Sequence, residues 1–342
     1  MSGPSMNDIL RVENLIVHFD TAEGTIHAVN GVSLSLQPGE VLGIVGESGS
    51  GKSVTMMSLL GLVPQPPGKI ESGRALFAAG EGQVEVDLLA IDRPALRAIR
   101  GKQIGFIFQD PISSLNPTMT IGRQIAESLM KHLALDSAKS RKRTIELLNN
   151  VGIADAERRY DSYPHEFSGG MRQRVMIAIA VACGPKLVIA DEPTTALDVT
   201  VQAQIMELVR RLRRELGISV IWISHDLGVV AGLADRVAVM YGGTIVECAQ
   251  VDDLFERPQH PYTAGLLGAV PSVIETNGAD ERPLVSIEGT PPDLLDELIC
   301  CPFANRCSYA FDRCWQERPP LLSVGPHHEL ACFYDMSKDA SR

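Results

Sequence analysis

The sequence predicts an α/β fold: a parallel sheet covered on both faces by helices, followed by a small loop-rich tail. Three observations predict it. Short apolar runs, "VLGIVG", "KLVIA" and "SVIWIS", read as buried strands. They alternate with helix-like stretches, which is the pattern of parallel strands joined by crossover helices. Beyond residue 255 or so the pattern fails, and proline and cysteine become frequent.

Taken in order, residues 9–45 hold "LRVENLIVHF", "IHAVNGVSLSL" and "GEVLGIVG", read as strands of an N-terminal sheet. Residues 62–100 read as proline- and glycine-rich breaks and then a polar helix. Residues 110–165 are mostly helical and open on the loop "DPISSLNP". An amphipathic helix at 171–183 runs into the strand "KLVIA". A helix at 200–216 precedes the strand "SVIWIS", and a further helix precedes "RVAVMYGGTIVE", read as one strand. A domain boundary is placed at 255–275, dividing 9–255 from a C-terminal region, 256–342. No internal repeat or low-complexity tract is evident.

With 342 residues, 45% of them hydrophobic and 21% charged, the chain has the composition of a globular protein with a large core. A net charge of −11 argues against a nucleic-acid partner, which a basic stripe would announce. The opening "MSGPSMNDILRVENL" lacks the basic start and apolar core of a secretory leader. The longest apolar run, Val175 to Cys183, falls far short of the ~20 residues of a membrane span. The chain is therefore expected in the cytosol, with its thiols reduced.

"GESGSGKS", Gly46 to Ser53, is the strongest short signal. It satisfies G-x-x-x-x-G-K-[ST], with an apolar strand before it and a helix after it. Gly46, Glu47, Ser48, Gly49, Ser50 and Gly51 would wrap backbone N–H groups around phosphate at the positive end of the new helix. Lys52 would reach the β- and γ-phosphates, and Ser53 would offer its hydroxyl to Mg²⁺. The strand "LVIADEP" ends in two carboxylates. Asp191 is expected to hold Mg²⁺ through water, and Glu192 to accept a proton from, or orient, an attacking water. In "FSGGMRQR", Ser168, Gly169 and Gly170 open a helix and make a second anion site.

These segments together resemble the ATP-binding-cassette (ABC) ATPases, whose signature motif is usually written LSGGQ. The resemblance covers residues 9–255, about three quarters of the chain. It implies a P-loop NTPase cassette with a RecA-like parallel core, an antiparallel β subdomain and a helical subdomain at 110–165. It also implies a head-to-tail dimer in which the signature of one subunit closes over the ATP held by the other. Gln109, ending "IGFIFQ", matches the glutamine loop that contacts Mg²⁺ and the lytic water and senses a membrane partner. Asp198 in "ALD" matches the dimer-interface loop. His225, after "SVIWIS", matches the switch histidine at the γ-phosphate. Phe19 lies where the family stacks an aromatic ring on adenine, with simple core packing as the alternative.

With one cassette, no fused membrane span and no coiled-coil insertion between Gln109 and Ser168, the chain looks like a separate importer subunit. "FQDPISSLNP", "FSGGMRQRV" and the box "RPQHPYTAGLLGAVP" at 257–271 resemble the importers of dipeptides and oligopeptides, with close relatives for nickel or glutathione. Phe167 and Met171 depart from the general signature but fit this branch. The resemblance implies a second, related ATPase subunit, two membrane permeases and an extracytoplasmic binding protein, with the chain peripheral on the cytoplasmic face. A soluble regulatory or repair ATPase with a redox-sensing tail is the alternative from another class.

Five of the seven cysteines fall in the last 43 residues. Cys301, Cys307, Cys314 and Cys332 have spacing x5, x6 and x17. Four thiolates enclose either a [4Fe–4S] cluster or Zn²⁺, although zinc sites favour closer pairs. Unligated thiols are the third reading. The resembling importers carry a similar C-x5-C-x6-C…C tail, in which some members bind [4Fe–4S]; that implies the cluster here. With no second cofactor site or electron partner evident, a structural role stapling the loop-rich tail is expected, and sensing of oxygen or iron supply is the alternative. Cys300 stands where the family has glycine and competes with Cys301 as first ligand. Cys183 and Cys248 read as packing residues.

Overall fold

The computed structural model describes residues 8–78, 84–195, 197–269, 287–336, 338, 340 and 341. The N-terminal strands β1 (Leu10–Thr21) and β2 (Gly24–Leu36) form an antiparallel sheet with β4 (Gly68–Phe77) and the short β5 (Val86–Asp87), in the order β2-β1-β4-β5. β3 (Val41–Val45) leaves this sheet for the main one. Residues 62–78 are thus not only breaks, as the sequence suggested. β4 is polar along most of its length, and its buried end Ala75-Leu76-Phe77 fixes it against β1.

The main sheet continues with β6 (Ile104–Ile107), β7 (Leu187–Asp191), β8 (Ser219–Ile223), β9 (Arg236–Tyr241) and β10 (Thr244–Gln250). β9-β3-β8-β7-β6 are parallel neighbours. β3, β7 and β8 are buried at every residue, as expected of strands covered on both faces.

"RVAVMYGGTIVE" is a hairpin, not one strand. Gly242 and Gly243 both have positive φ, 55° and 74°, which makes the two-residue turn that reverses the chain and pairs Tyr241 with Thr244. Two tail strands, β11 (Leu322–Gly325) and β12 (His328–Leu330), then extend the same sheet beyond β10.

Helices α1 (Lys52–Leu59) and α2 (Arg93–Ile99) precede a helical region. It comprises α3 (Pro111–Ser114), α4 (Ile121–Leu133), α5 (Ser137–Asn150) and α6 (Ala156–Arg159). α7 (Gly169–Val181), α8 (Val199–Leu216) and α9 (Leu227–Ala231) are followed by α10 (Val251–Glu256), α11 (Pro261–Gly268) and α12 (Asp312–Gln316). Caps fix several starts: Asp136 accepts from Lys139 N–H, Ser168 from Met171 N–H and Asp198 from Val201 N–H. One apolar core joins the helical region, one sheet face and α11, and takes in Phe303. A second lies between the antiparallel sheet and the opposite face. Among the described residues no helix is long and apolar enough to cross a membrane.

Candidate active site

The site forms where the parallel strands end. β3 leads into the loop Gly46–Gly51, whose glycines are demanded by space and by backbone. Gly46 has φ +151° and a Cβ there would stand 2.1 Å from the Met240 carbonyl oxygen. Gly51 has φ +94°, and its Cβ would lie 2.5 Å from the Ala28 carbonyl oxygen. The β9–β10 turn braces the loop, since Gly243 N–H donates to the Ser50 carbonyl at 3.2 Å.

Lys52 opens α1 and folds over the loop. Its Nζ donates to the carbonyl oxygens of Gly46 and Glu47, each at 2.8 Å, and lies 3.4 Å from Ser50 Oγ. Burial lowers its pKa, against the opposing pull of Glu192, Asp191 and Glu47. Ser53 Oγ donates to Asp191 Oδ1 at 2.8 Å. Burial holds Asp191 above the usual carboxylate range, and the Ser53 bond counters it. A serine hydroxyl and a carboxylate facing each other make a hard-oxygen pair whose chemistry suits Mg²⁺.

Glu192, the next residue, sits in left-handed backbone at φ 45°, a conformation that persists only where neighbours enforce it. Its N–H donates to the Ile223 carbonyl at 3.0 Å. Its Oε2 accepts from Gln109 Nε2 at 3.0 Å and Thr195 Oγ1 at 3.0 Å, and lies 3.2 Å from His225 Nδ1. Three side chains therefore converge on one carboxylate oxygen, two of them from distant parts of the chain. Thr195 was not singled out from sequence; its hydroxyl three residues past a catalytic-type carboxylate is the local signal.

Ser168, Gly169 and Gly170 lie elsewhere. A Cβ on Gly170 would meet Val201 at 2.7 Å, and one on Gly169 Leu197 at 3.7 Å. They face the start of α8, beside Asp198. Among the described residues no hydrogen bond or ion pair joins them to Gly46–Ser53 of the same chain. Phe19 is half-buried against the second core, paired across β1 with Ile26 and Gly68. Ala196 lies outside the described residues, as do the last two residues of the box at 257–271.

The tail reaches the loop as well. Tyr262 OH accepts from Glu47 N–H at 3.0 Å, and Arg306 grips the Glu47 carboxylate at 2.8 and 3.1 Å. A cavity of about 220 Å³ separates Glu47–Ser50 from Pro291, Pro292 and Leu294.

Cys301, Cys307, Cys314 and Cys332 are brought together. The Cys301 N–H donates to the Cys314 carbonyl at 3.0 Å. Its thiol is pushed up to about 12, by burial first and then by the charges of Cys314, Cys332 and Cys307. Three thiols accept the N–H two residues on: Cys301 from Phe303, Cys307 from Tyr309, and Cys332 from Tyr334 at 3.4 Å. Cys300 is directed to the Cys301 carbonyl, at 4.0 Å. Yet among the described residues no group of three or more His, Cys, Asp or Glu is placed to hold a metal ion, so the expected ligand set is gathered but not closed into an ion site. Cys248 is buried, its thiol raised to about 11, and Cys183 packs on the core.

Comparisons with known proteins agree with this geometry. Residues 29–195 match the family described as "ABC transporter", and residues 246–314 match "Oligopeptide/dipeptide transporter, C-terminal region". The oligopeptide transport ATP-binding protein OppD of Bacillus subtilis is 51% identical over 94% of this chain and 87% of its own. The dipeptide transport ATP-binding protein DppD of the same organism is 48% identical, over 96% and 95%. Among solved structures, a dimeric post-hydrolysis state of the ATP-binding cassette MJ0796 bound to ADP and Pi superposes with a TM-score of 0.62 at 30% identity, over 71% of this chain and 98% of that one. CbiO1 from Clostridium perfringens gives 0.61 at 30%, over 73% and 92%.

The fold and the site define a P-loop ATPase of the cassette type. The chain belongs to the ABC transporter family and carries the C-terminal region of its oligopeptide/dipeptide transporters. The regulatory or repair reading is not favoured by these relatives.

Proposed function

We propose that this chain is the ATP-hydrolysing subunit of an importer, coupling ATP binding and hydrolysis to uptake of dipeptides or oligopeptides across the cytoplasmic membrane. One observation carries the reading: the Ser53–Asp191–Glu192 constellation shares a chain with the transporter-type C-terminal region. The names of the relatives, oligopeptide and dipeptide transport ATP-binding proteins, point the same way.

In this reading Gly46 to Gly51 cradle the phosphates through backbone N–H groups, and Phe19 stacks on adenine. Lys52 leaves the loop carbonyls for the β- and γ-phosphates. Ser53, Asp191 and Gln109 would hold Mg²⁺, which when bound would supply neutralisation of phosphate charge. Glu192 orients the attacking water and takes its proton, steadied by Gln109 and Thr195, while His225 contacts the γ-phosphate. The water oxygen bonds to the γ-phosphorus, the bond to the bridging oxygen breaks, and ADP leaves. Catalysis comes from positioning and charge stabilisation.

Ser168, Gly169, Gly170 and Asp198 serve the site of the opposing subunit in a head-to-tail dimer. Their packing against Leu197 and Val201, with no hydrogen bond to the chain's own loop among the described residues, supports this, as does the dimeric relative. The opposing subunit is a related ATPase or a second copy. Two membrane permeases and an extracytoplasmic binding protein complete the importer, with this chain peripheral on the cytoplasmic face. Residues 9–255 form the cassette and 256–342 the C-terminal region.

The four cysteines are proposed to hold a [4Fe–4S] cluster in a structural role. Their donor chemistry fits: four thiols, three of them already accepting backbone N–H groups, which stabilise thiolate. Cys301, not Cys300, is the first ligand in this reading.

The test is reconstitution with permeases and binding protein in liposomes. Peptide-stimulated ATP hydrolysis with uptake of labelled peptide is expected. Hydrolysis indifferent to peptide and permease would overturn the importer reading.

A further inference from the structure

We infer that the C-terminal region is a working part of the nucleotide site: Tyr262 and Arg306 are positioning residues that hold the phosphate loop through Glu47. The inference rests on the phosphate-loop reading of Gly46–Ser53 and adds the element that keeps that loop in shape.

Glu47 is held at every polar group. Its N–H donates to Tyr262 OH at 3.0 Å, its carbonyl accepts from Lys52 Nζ at 2.8 Å and from the Ser50 N–H at 3.2 Å, and both carboxylate oxygens accept from Arg306. Two of the four grips, Tyr262 and Arg306, come from the tail. The Lys52 grip must be released when Nζ turns to a phosphate. From then on the Ser50 N–H still holds the Glu47 carbonyl, while the tail alone holds its N–H and carboxylate. Across the rest of the loop's outer side the tail stands off, with the 220 Å³ cavity between them, so Glu47 is where the two meet.

Arg306 is built for this task. Its side chain is only 5% exposed, and all five of its N–H donors are used. Nη1 donates to Glu47 Oε2 at 2.8 Å and Tyr241 OH at 3.2 Å. Nη2 donates to Glu47 Oε1 at 3.1 Å and the Ile287 carbonyl at 3.2 Å. Nε donates to the Glu288 carbonyl at 2.9 Å. Such a fork on a carboxylate fixes direction as well as distance.

Both grips rest on rigid supports. Arg306 ends the 3₁₀ turn Ala304–Arg306, which is tied between Cys301 and Cys307 by Ala304 N–H to Cys301 O at 3.1 Å and Cys307 N–H to Ala304 O at 3.3 Å. Tyr262 lies in the first turn of α11, where its N–H donates to His260 Nδ1 at 3.0 Å. Its ring packs on Tyr241 at 4.5 Å and Phe303 at 5.4 Å between centroids. The box at 257–271 thus has a physical task beyond packing.

The test uses the full chain and ATP itself, in Tyr262→Phe, Arg306→Gln, Glu47→Gln and the Arg306/Glu47 pair, with Lys52→Ala as control. Tyr262→Phe and Arg306→Gln should each raise the Kd and KM for ATP by roughly threefold to tenfold, measured below the melting temperature of each variant. In the Glu47→Gln background, Arg306→Gln should add little, because its partner is already gone. If Arg306→Gln fails to fold, Arg306→Lys keeps the charge, forfeits the fork, and should show the smaller part of the same loss. Parent-like affinity in both tail variants, with Lys52→Ala impaired, overturns the inference and leaves the phosphate-loop reading standing. Parent-like affinity in Lys52→Ala overturns both.

Discussion

Ser53 and Asp191, 138 positions apart, share a 2.8 Å hydrogen bond that spans the top of β8, the strand lying between β3 and β7. Two adjacent parallel crossovers thus deliver a hydroxyl and a carboxylate to the same end of the sheet, where open α/β sheets place their ligands.

Asp191→Asn should therefore act on the metal first. The Mg²⁺ concentration for half-maximal ATPase is expected to rise about 10- to 100-fold, measured by Mg²⁺ titration at saturating ATP. An unshifted titration would remove Asp191 from that role.

Glu192→Gln should leave ATP binding near that of the parent and cut turnover by about 100- to 10,000-fold. Fluorescent-nucleotide binding and phosphate release together check it. Near-normal hydrolysis would mean that the convergence of Gln109, Thr195 and His225 on this carboxylate serves structure alone.

His260 sets a pH dependence. It is fully buried, its Nδ1 accepts the Tyr262 N–H, and burial drives its pKa down to about 4, with Glu247 pulling the other way. The folded state resists a proton that the unfolded chain takes up near the ordinary value of 6.5. Stability is therefore fullest above pH 6.5 and falls as pH drops from 6.5 towards 4, by on the order of 3 kcal/mol. His18 and His132 are lowered too, so the slope is to be compared with that of His260→Asn, which keeps an acceptor at the cap. Denaturant unfolding should show a shallower slope in the variant, and an equal slope would refute the assignment.

Purification without oxygen should give about four irons and matching sulfide per chain, lost in Cys307→Ser and Cys314→Ser. Zinc alone, or no metal at all, would refute the cluster.

The residues legible in sequence, Lys52, Asp191, Glu192 and His225, each follow an apolar strand within a contiguous motif. Local pattern and chemistry coincide there. The grips on Glu47 were not legible, because they come from 215 and 259 residues away and nothing near Glu47 announces them. The box holding Tyr262 stands out in the sequence, but a tyrosine in a proline-bounded helix has no local sign of its partner. The hairpin at Gly242–Gly243 reads as a single strand because both of its arms are apolar, and the glycine pair alone marks the turn. The tail strands escaped for a different reason: β11 is short and largely exposed, so it has no hydrophobic pattern and exists through pairing with β12.

That pairing has a consequence for any shortened form of the protein. β12 uses the outer hydrogen-bonding side of β10, pairing Leu330 with Glu247 and Glu329 with Cys248. A chain ending after α11 would bare that side of β10, leaving unpaired amides beside a strand buried along nearly its whole length. Such a flank recruits strands from other chains. An isolated cassette cut at residue 269 should therefore self-associate, with β12 acting in the intact chain as a built-in guard against it.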